Sequence, residues 1–438
     1  MAVVLALSLL FIEFLAGLQR YLSQAVLPLV AAELHGTGLY GPLDAAAQAP
    51  MFLMMPVGAW LLSRFTVGRL MVTFTALTVA GAGLCALAPS MPVFIAGTAL
   101  RALASGALAT VGMGAISRGL PPRYRQLVLA GMSGIWVFSS VLGPVYAVAA
   151  ASAFGWRWAM VLYLPLLVLA RVAIARSMPE RAEEAGPEQA PWGWSFVLAA
   201  GSAVLSFPLG GWSAVAVLAG GGLMLVATRA VLPPGTFGAA RGRRAALTAL
   251  TVTAAVYFGA SMVLSVVAHD AFGLGAGRFG FVIAAPGLMW AVAGLWSGSR
   301  PASDGAAFRR RMLRGGATIA FGVATLLVTT SAGVPAFGGL LVGAALLGLG
   351  MGALYPDLLG RCLSRPEVDD GISEDRMAAA VVLAESVGLA LATTAAYTWL
   401  GTGLGLVDDP LRRAQTLYAL LIPLAALMLH RLTSAARP

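Results

Sequence analysis

Lysine is missing altogether: all 28 basic side chains are arginine, against 18 acidic residues and three histidines, His35, His269 and His430. No two of those histidines stand at metal-ligand spacing, and no zinc, P-loop or nucleophile-elbow pattern occurs. Catalytic residues, a metal site and a cofactor are therefore all expected to be absent. The two cysteines, Cys85 and Cys362, fall on opposite sides of a membrane in the topology given below, which excludes a disulfide between them. Charge is scarce as well, at 11% of residues where a soluble domain carries about 25%. What fills the chain instead is apolar: 59% of its 438 residues are hydrophobic, 53 are glycine and the mean hydropathy is +0.86. That composition belongs to a polytopic helical membrane protein whose helices approach closely at small residues. An integral-membrane enzyme would need long soluble loops or converging acid and histidine clusters, and neither occurs.

Apolar runs of roughly twenty residues fall at about 6–31, 44–63, 70–89, 92–117, 127–152, 157–176, 194–209, 212–231, 247–269, 278–298, 314–331, 335–360, 377–400 and 413–431. The first contains Glu13 and continues past twenty residues, so it reads as a retained span and not as a cleavable signal. With the N-terminus cytoplasmic, 22 arginines fall on cytoplasmic loops and span ends, four on outer ones (Arg157, Arg278, Arg412, Arg413), and Arg20 and Arg101 lie deep within spans. The positive-inside rule is thus obeyed. The net charge of +10 is then mostly a topology signal, leaving nothing for nucleic acid to explain. Both termini are expected in the cytoplasm, with the protein multi-pass in the plasma (inner) membrane.

Within Phe11–Gly36, Glu13 and Arg20 stand seven residues apart, on one helix face and about 10 Å from each other. Gln24 continues that face. Charges at membrane depth usually face a bundle interior or a water-filled cavity. Two readings of Glu13 stay open, a cavity-lining stripe and an anchor near the inner headgroups. An internal repeat sets the architecture: Ala49–Arg64 lies without gaps over Ala285–Arg300 and shares Ala, Pro, Gly, Trp, Ser and Arg. It pairs the second span with the tenth. This leaves six spans per half, with two between them.

The stretch Arg101–Pro165 then resembles the fourth-to-sixth-span region of the major facilitator superfamily, and more narrowly its fourteen-span drug:proton antiporters. The residues that carry the likeness are Arg101 with Gly106, Pro121-Pro122-Arg123-Tyr124-Arg125, Ser139 with Gly143-Pro144, Trp156-Arg157-Trp158, Pro165, and Leu18 to Pro28 in the first span. Departures accompany it. Gln19 stands where the family has a first-span Asp, Gln24 replaces the usual Asn, and Ser63–Arg69 lacks the loop Asp of the usual cytoplasmic lock.

The resemblance implies an all-α protein: an N-terminal six-helix bundle (1–176), a cytoplasmic linker (177–193), an inserted two-helix hairpin (194–231), a second linker (232–246) and a C-terminal six-helix bundle (247–438), about fourteen transmembrane helices in all. It implies proton-coupled export of small amphipathic organic compounds by alternating access, driven by the proton gradient. The expected partners are the substrate, protons and the lipid bilayer, for a monomer. Glu13, Glu385 and Asp357 are the candidate proton-coupling carboxylates. Arg20 and Arg101 lie near one level, and buried cations need anionic partners, for which Glu13 and Glu385 are available. Alternatives stay open for Arg101 (packing on carbonyls), Glu385 (an inner-end residue) and Asp357 (a structural role). Gln19, Gln24, Trp136, Tyr257 and Tyr397 are the remaining candidate lining residues, and Ser139, Gly143 and Pro144 the gating motif. The other reading is transport of an anionic metabolite or a lipid on Arg20 and Arg101.

Overall fold

The computed structural model describes residues 2–36, 39–178, 189–206, 212–331, 335–364, 370–403 and 406–437. The linker charges Glu180, Arg181, Glu183, Glu184 and Glu188 and most of the expected turn Pro208–Gly211 lie outside the described residues. So do the side chains of Arg20, Gln24, Trp136 and Pro144, although their backbones are helical.

Helices make up nearly all of the described chain: α1 (Ala2–Glu33), α2 (Tyr40–Arg64), α3 (Val67–Ala86), α4 (Met91–Gly119), α5 (Pro122–Ala159), α6 (Leu164–Ser177), α7 (Trp192–Ser206), α8 (Ser213–Val231), α9 (Gly242–Ser261), α10 (Ala276–Ser299), α11 (Gly305–Ser331), α12 (Ala336–Leu363), α13 (Glu374–Thr402) and α14 (Pro410–Ala435). A short helical piece, Leu264–Val266, and a π segment, Val267–Ala271, extend α9 past a break.

Ten of the described helices are long and apolar enough to cross a membrane, or eleven if one bent pair counts as a single span. That count is of the described residues and does not reach the expected fourteen. Between the fifth and sixth expected spans, at 152–157, the helix breaks at Gly155, whose dihedrals are not helical. Helical turns resume beyond the break to Ala159, and that last part of α5 meets α6 at 68°. The bend begins at Gly155, whose φ of +80° is a region that glycine enters without steric cost. Helix α9 likewise starts at Gly242, so Arg243 and Arg244 belong to a helix and not to the expected linker.

The packing repeats. In the first bundle α1 packs on α5 and α6, α4 on α2 and α3, and α3 on α6. In the second, α9 packs on α13 and α14, α12 on α10 and α11, and α11 on α14. Every pairing recurs eight helices later, as the Ala49/Ala285 sequence repeat requires. The tightest approach recurs too. A Cβ on Gly106 would stand 2.2 Å from the Met51 carbonyl oxygen on α2, and one on Gly348 would stand 2.1 Å from that of Pro286 on α10. Only glycine permits such contact between helix backbones. Gly106→Leu is expected to separate α4 from α2, where overpacking costs about 1–3 kcal/mol, and to lower the thermal midpoint in detergent. An unchanged midpoint would mean that the two helices do not meet there.

Helices α7 and α8 pair with each other, α7 against α2 and α8 against α13. They cover the seam where those two helices of opposite bundles meet. The other junctions between the bundles are α5 with α10 and α12, and α4 with α13.

Candidate functional site

Counting helix rise at about 1.5 Å per residue, Glu13 on α1 and Glu385 on α13 each lie about 16 Å in from the arginine-rich end of their helices. Both sit on helices of the bundle interior, one in each half. Tyr355 of α12 donates its hydroxyl hydrogen to Glu385 Oε2 at 2.8 Å. Behind it an aromatic chain fills the second bundle. The Trp290 ring meets Tyr355 edge-on at 5.3 Å between centroids and Tyr257 at 4.9 Å. The Trp290 Nε1 is buried with no hydrogen-bond partner. Tyr257 is 2% exposed, a core position packed on a neighbour that faces the carboxylates.

Arg101 is arranged differently from the expectation. It is 8% exposed and reaches no carboxylate among the described residues. Its Nη2 donates to the Tyr163 hydroxyl at 3.5 Å, and that hydroxyl donates to Gln19 Oε1 at 2.7 Å. The physical reason is distance: Arg101 and Gln19 lie about 10 Å further from the arginine-rich end than Glu13 and Glu385, too far for a direct ion pair. The expected pairing of Arg101 with Glu13 or Glu385 is therefore replaced by a three-residue polar chain across α4, α6 and α1. The α5 motif touches α1 beside the first carboxylate, where the Ser139 hydroxyl donates to the Phe14 carbonyl at 3.1 Å. Gly143 is buried on the same helix. Tyr397 is 44% exposed, and its hydroxyl donates to the Met262 carbonyl at 2.6 Å, tying α13 to the break after α9.

Asp357 sits elsewhere, at the arginine-rich end and at the junction of the bundles. It is ion-paired with Arg311, and it accepts from Gln126 Nε2 of the other bundle at 3.0 Å. Alongside, Arg118 at the end of α4 pairs with Asp375 in the first turn of α13, and Arg125 Nη1 donates to the Leu363 carbonyl at 3.4 Å. Three first-bundle side chains thus hold two second-bundle carboxylates and a helix end. Near the opposite end, the described bonds bind a bundle to itself: Arg157 donates to the Ala86 and Ala88 carbonyls and to Glu33. Hydrogen bonds from Trp156 and Arg157 hold the Glu33 carboxyl below its ordinary pKa.

One pair near the latch gives a pH-dependent stability. Arg243 Nε donates to Asp370 Oδ2 at 2.9 Å, and these hydrogen bonds, with the arginine charge, lower the Asp370 pKa. A carboxyl held below its unfolded value, about 3.9, contributes stability that is fully present above that value and is lost as pH falls through the folded pKa. Asp370→Asn is expected to cost about 2 kcal/mol at pH 7, the worth of hydrogen bonds to a charged group. It should also flatten the stability profile between about pH 5 and 3. Thermal melts across that range check it; an unaltered profile would deny the pair any role.

Sequence reasoning missed Tyr163, Trp290 and Arg171. Tyr163 was inside the Arg101–Pro165 block, in the turn between α5 and α6. Trp290 was within the repeated segment. Arg171 passed as a span-end arginine, yet it lies about 9 Å inside α6 and donates to Thr78 Oγ1 at 3.2 Å.

The chain matches the family model of the Major Facilitator Superfamily over residues 9–368. Among curated proteins it is 26% identical over 230 residues to the efflux pump FUS6 of Gibberella moniliformis, covering 49% of this chain and 40% of that one. It is 20% identical over 175 residues to the multidrug efflux pump SdrM of Staphylococcus aureus, covering 40% of this chain and 39% of that one. It is 28% identical over 134 residues to the multidrug resistance protein B homolog of Mycobacterium tuberculosis, covering 30% and 25%. The chain thus spans about two fifths or less of the length of these relatives. Among solved structures, the human organic anion transporter MFSD10 superposes with a TM-score of 0.67 at 16% identity, covering 98% of this chain and 99% of that one. The E. coli fucose:proton symporter FucP superposes at 0.57 and 15%, covering 97% and 98%. With the repeated bundles, the helical spans and the family match in agreement, this chain is a member of the Major Facilitator Superfamily, a family of membrane transporters and not of enzymes.

Proposed function

We propose that the chain is a proton-coupled exporter of small amphipathic organic compounds. It works by alternating access, its arginine-rich end in the cytoplasm and both termini on that side. The observation that carries this reading is the pair Glu13 and Glu385: carboxylates from opposite bundles at one depth, the second joined to a tyrosine and an aromatic chain. A carboxylate inside a membrane bundle is costly and marks an ion or proton path. Motion of one bundle against the other changes what surrounds it. The Asp357 and Asp375 contacts join the bundles at the arginine-rich end, the contacts an alternating-access cycle would break to open that end. The efflux and multidrug pumps among the relatives support the direction and breadth of transport. The purified protein in liposomes, given an inward or outward pH gradient and cationic, neutral and anionic test compounds, should accumulate an amphipathic compound against its gradient only when protons flow the other way. Gradient-independent uptake of every compound would overturn the reading.

One observation favours a second reading, an anionic substrate. Arg101 has a buried Nε without a partner and no carboxylate beside it, and the MFSD10 neighbour transports organic anions. Arg101→Ala decides between them in the same liposomes. If Arg101 serves only the Tyr163–Gln19 chain, all compounds should lose transport to a similar degree. A loss confined to anions, about tenfold or more, would install the second reading.

A further inference from the structure

A cavity lies among the helices of the first bundle. It holds about 90 Å³ and is walled by α1, α3, α4, α5 and α6. Glu13 and Arg171 are its two charged lining residues; the rest of the wall is leucine, isoleucine, methionine, alanine and Gly112. Its long direction follows the helices. Ile116, Ile174 and Met71 line it within about 6 Å of the arginine-rich helix ends, and Glu13 lines it about 16 Å in. The volume admits about three waters at ~30 Å³ each, and the two charged groups offer hydrogen-bond partners. Gly112 faces open space, since a Cβ built on it meets nothing within 4 Å.

We infer that this shaft is the proton's own route between the arginine-rich end and Glu13, separate from the substrate path between the bundles. The inference rests on Glu13 as the proton carrier in the proposed function. Water in the shaft would relay a proton onto or off the Glu13 carboxylate, with no other bond made or broken. The groups facing Glu13 are Arg171 from α6 within the shaft, and Tyr355 and Glu385 from the second bundle on the other side. Helices α3, α4 and α5 present only apolar side chains and Gly112 to the shaft. The arrangement lets the carboxylate meet water on one side while it meets the substrate path on the other. The Asp357 and Asp375 latch can then stay closed while the carrier exchanges its proton with the arginine-rich side.

The test is Gly112→Leu, which puts a branched side chain into the shaft from a position whose Cβ meets no neighbour, with Gly112→Ala as the graded control. In liposomes, Gly112→Leu should slow pH-gradient-driven transport at least tenfold, leave equilibrium binding and substrate–substrate exchange at the native level, and keep the native thermal midpoint. Gly112→Cys should react with a small thiol reagent added at the arginine-rich side and lose proton-driven transport on reaction. Native proton-driven rates in Gly112→Leu, or a thiol at 112 that reacts only from the opposite side, would overturn the route. The failures separate cleanly. If Glu13→Gln loses coupling while Gly112→Leu keeps it, the route alone falls. If Glu13→Gln keeps coupling, the carrier assignment falls and takes the route with it.

Discussion

Glu13→Gln is expected to bind substrate and carry out substrate exchange at near-native rates, while accumulation driven by a pH gradient drops by about two orders of magnitude. The amide keeps the shape of the carboxyl and its hydrogen-bonding reach but cannot ionise. Only the steps that load or release a proton are lost. Glu385→Gln provides the comparison. Tyr355 donates to Glu385 Oε2, and an amide oxygen can accept that same bond, so the aromatic cluster of Trp290, Tyr257 and Tyr355 should stay in place. If Glu385 is a second carrier, its variant also loses coupling and the double variant loses no more than the worse single one, because both act in one proton cycle. If Glu385 only shapes the field around Glu13, its variant shifts the pH dependence of transport and keeps coupling. Reconstituted transport of one compound over a range of external pH reads all of these. Native accumulation in both variants would remove the facing pair as the coupling site.

The architecture was legible because the bilayer makes sequence and structure speak the same language. A charge inside an apolar run has to face the interior, which brought Glu13, Arg101 and Glu385 forward as candidates. The Ala49/Ala285 repeat pointed to two like six-span halves, and the principal helix pairings of the first bundle recur in the second, with matching backbone approaches at Gly106 and Gly348. What was hidden depends on rotation and height, which a span list does not contain. Arg101 was placed correctly beside Gln19 but was given a carboxylate partner about 10 Å away. The bridging Tyr163 went unseen because a tyrosine in an apolar helix looks like any other large side chain. Asp357 carries a local Tyr-Pro-Asp context and nothing that points to Gln126, 231 residues earlier in the chain. Arg171 shows the limit most plainly. Counting arginines by loop assigns it to the helix end, and only the packing of α6 on α3 shows that its head turns inward to Thr78.

Asp357→Asn should loosen the arginine-rich end. Its carboxylate holds Arg311 by charge and Gln126 by a hydrogen bond at 3.0 Å, and the second of these crosses between the bundles. Hydrogen bonds to charged groups contribute about 1.5–3 kcal/mol, and about 1.4 kcal/mol changes an equilibrium tenfold. An amide at 357 keeps an acceptor for Gln126, so Asp357→Asn should raise the share of molecules open at this end by less than tenfold, and Asp357→Ala, which keeps no acceptor, by tenfold or more. Asp375→Asn, which releases Arg118 across the same junction, should raise it by a similar factor. Cysteines introduced by Gln126→Cys and Gly360→Cys report the change. A Cβ on Gly360 would stand 3.1 Å from the Gln126 side-chain oxygen, so the two positions face each other when the end is closed. The native thiols Cys85 and Cys362 are buried and unpaired and give a low background. A short thiol cross-linker should join the introduced pair readily in the otherwise native chain and stop transport until it is cleaved. Because Gln126→Cys already removes the Asp357 bond, cross-linking reads Asp375→Asn, which should slow it, and Asp357→Ala is read with Gln126 in place by faster modification of Gly360→Cys with a soluble reagent. A bundle pair that never opens at this end would cross-link without losing transport, and that result would end the alternating-access account.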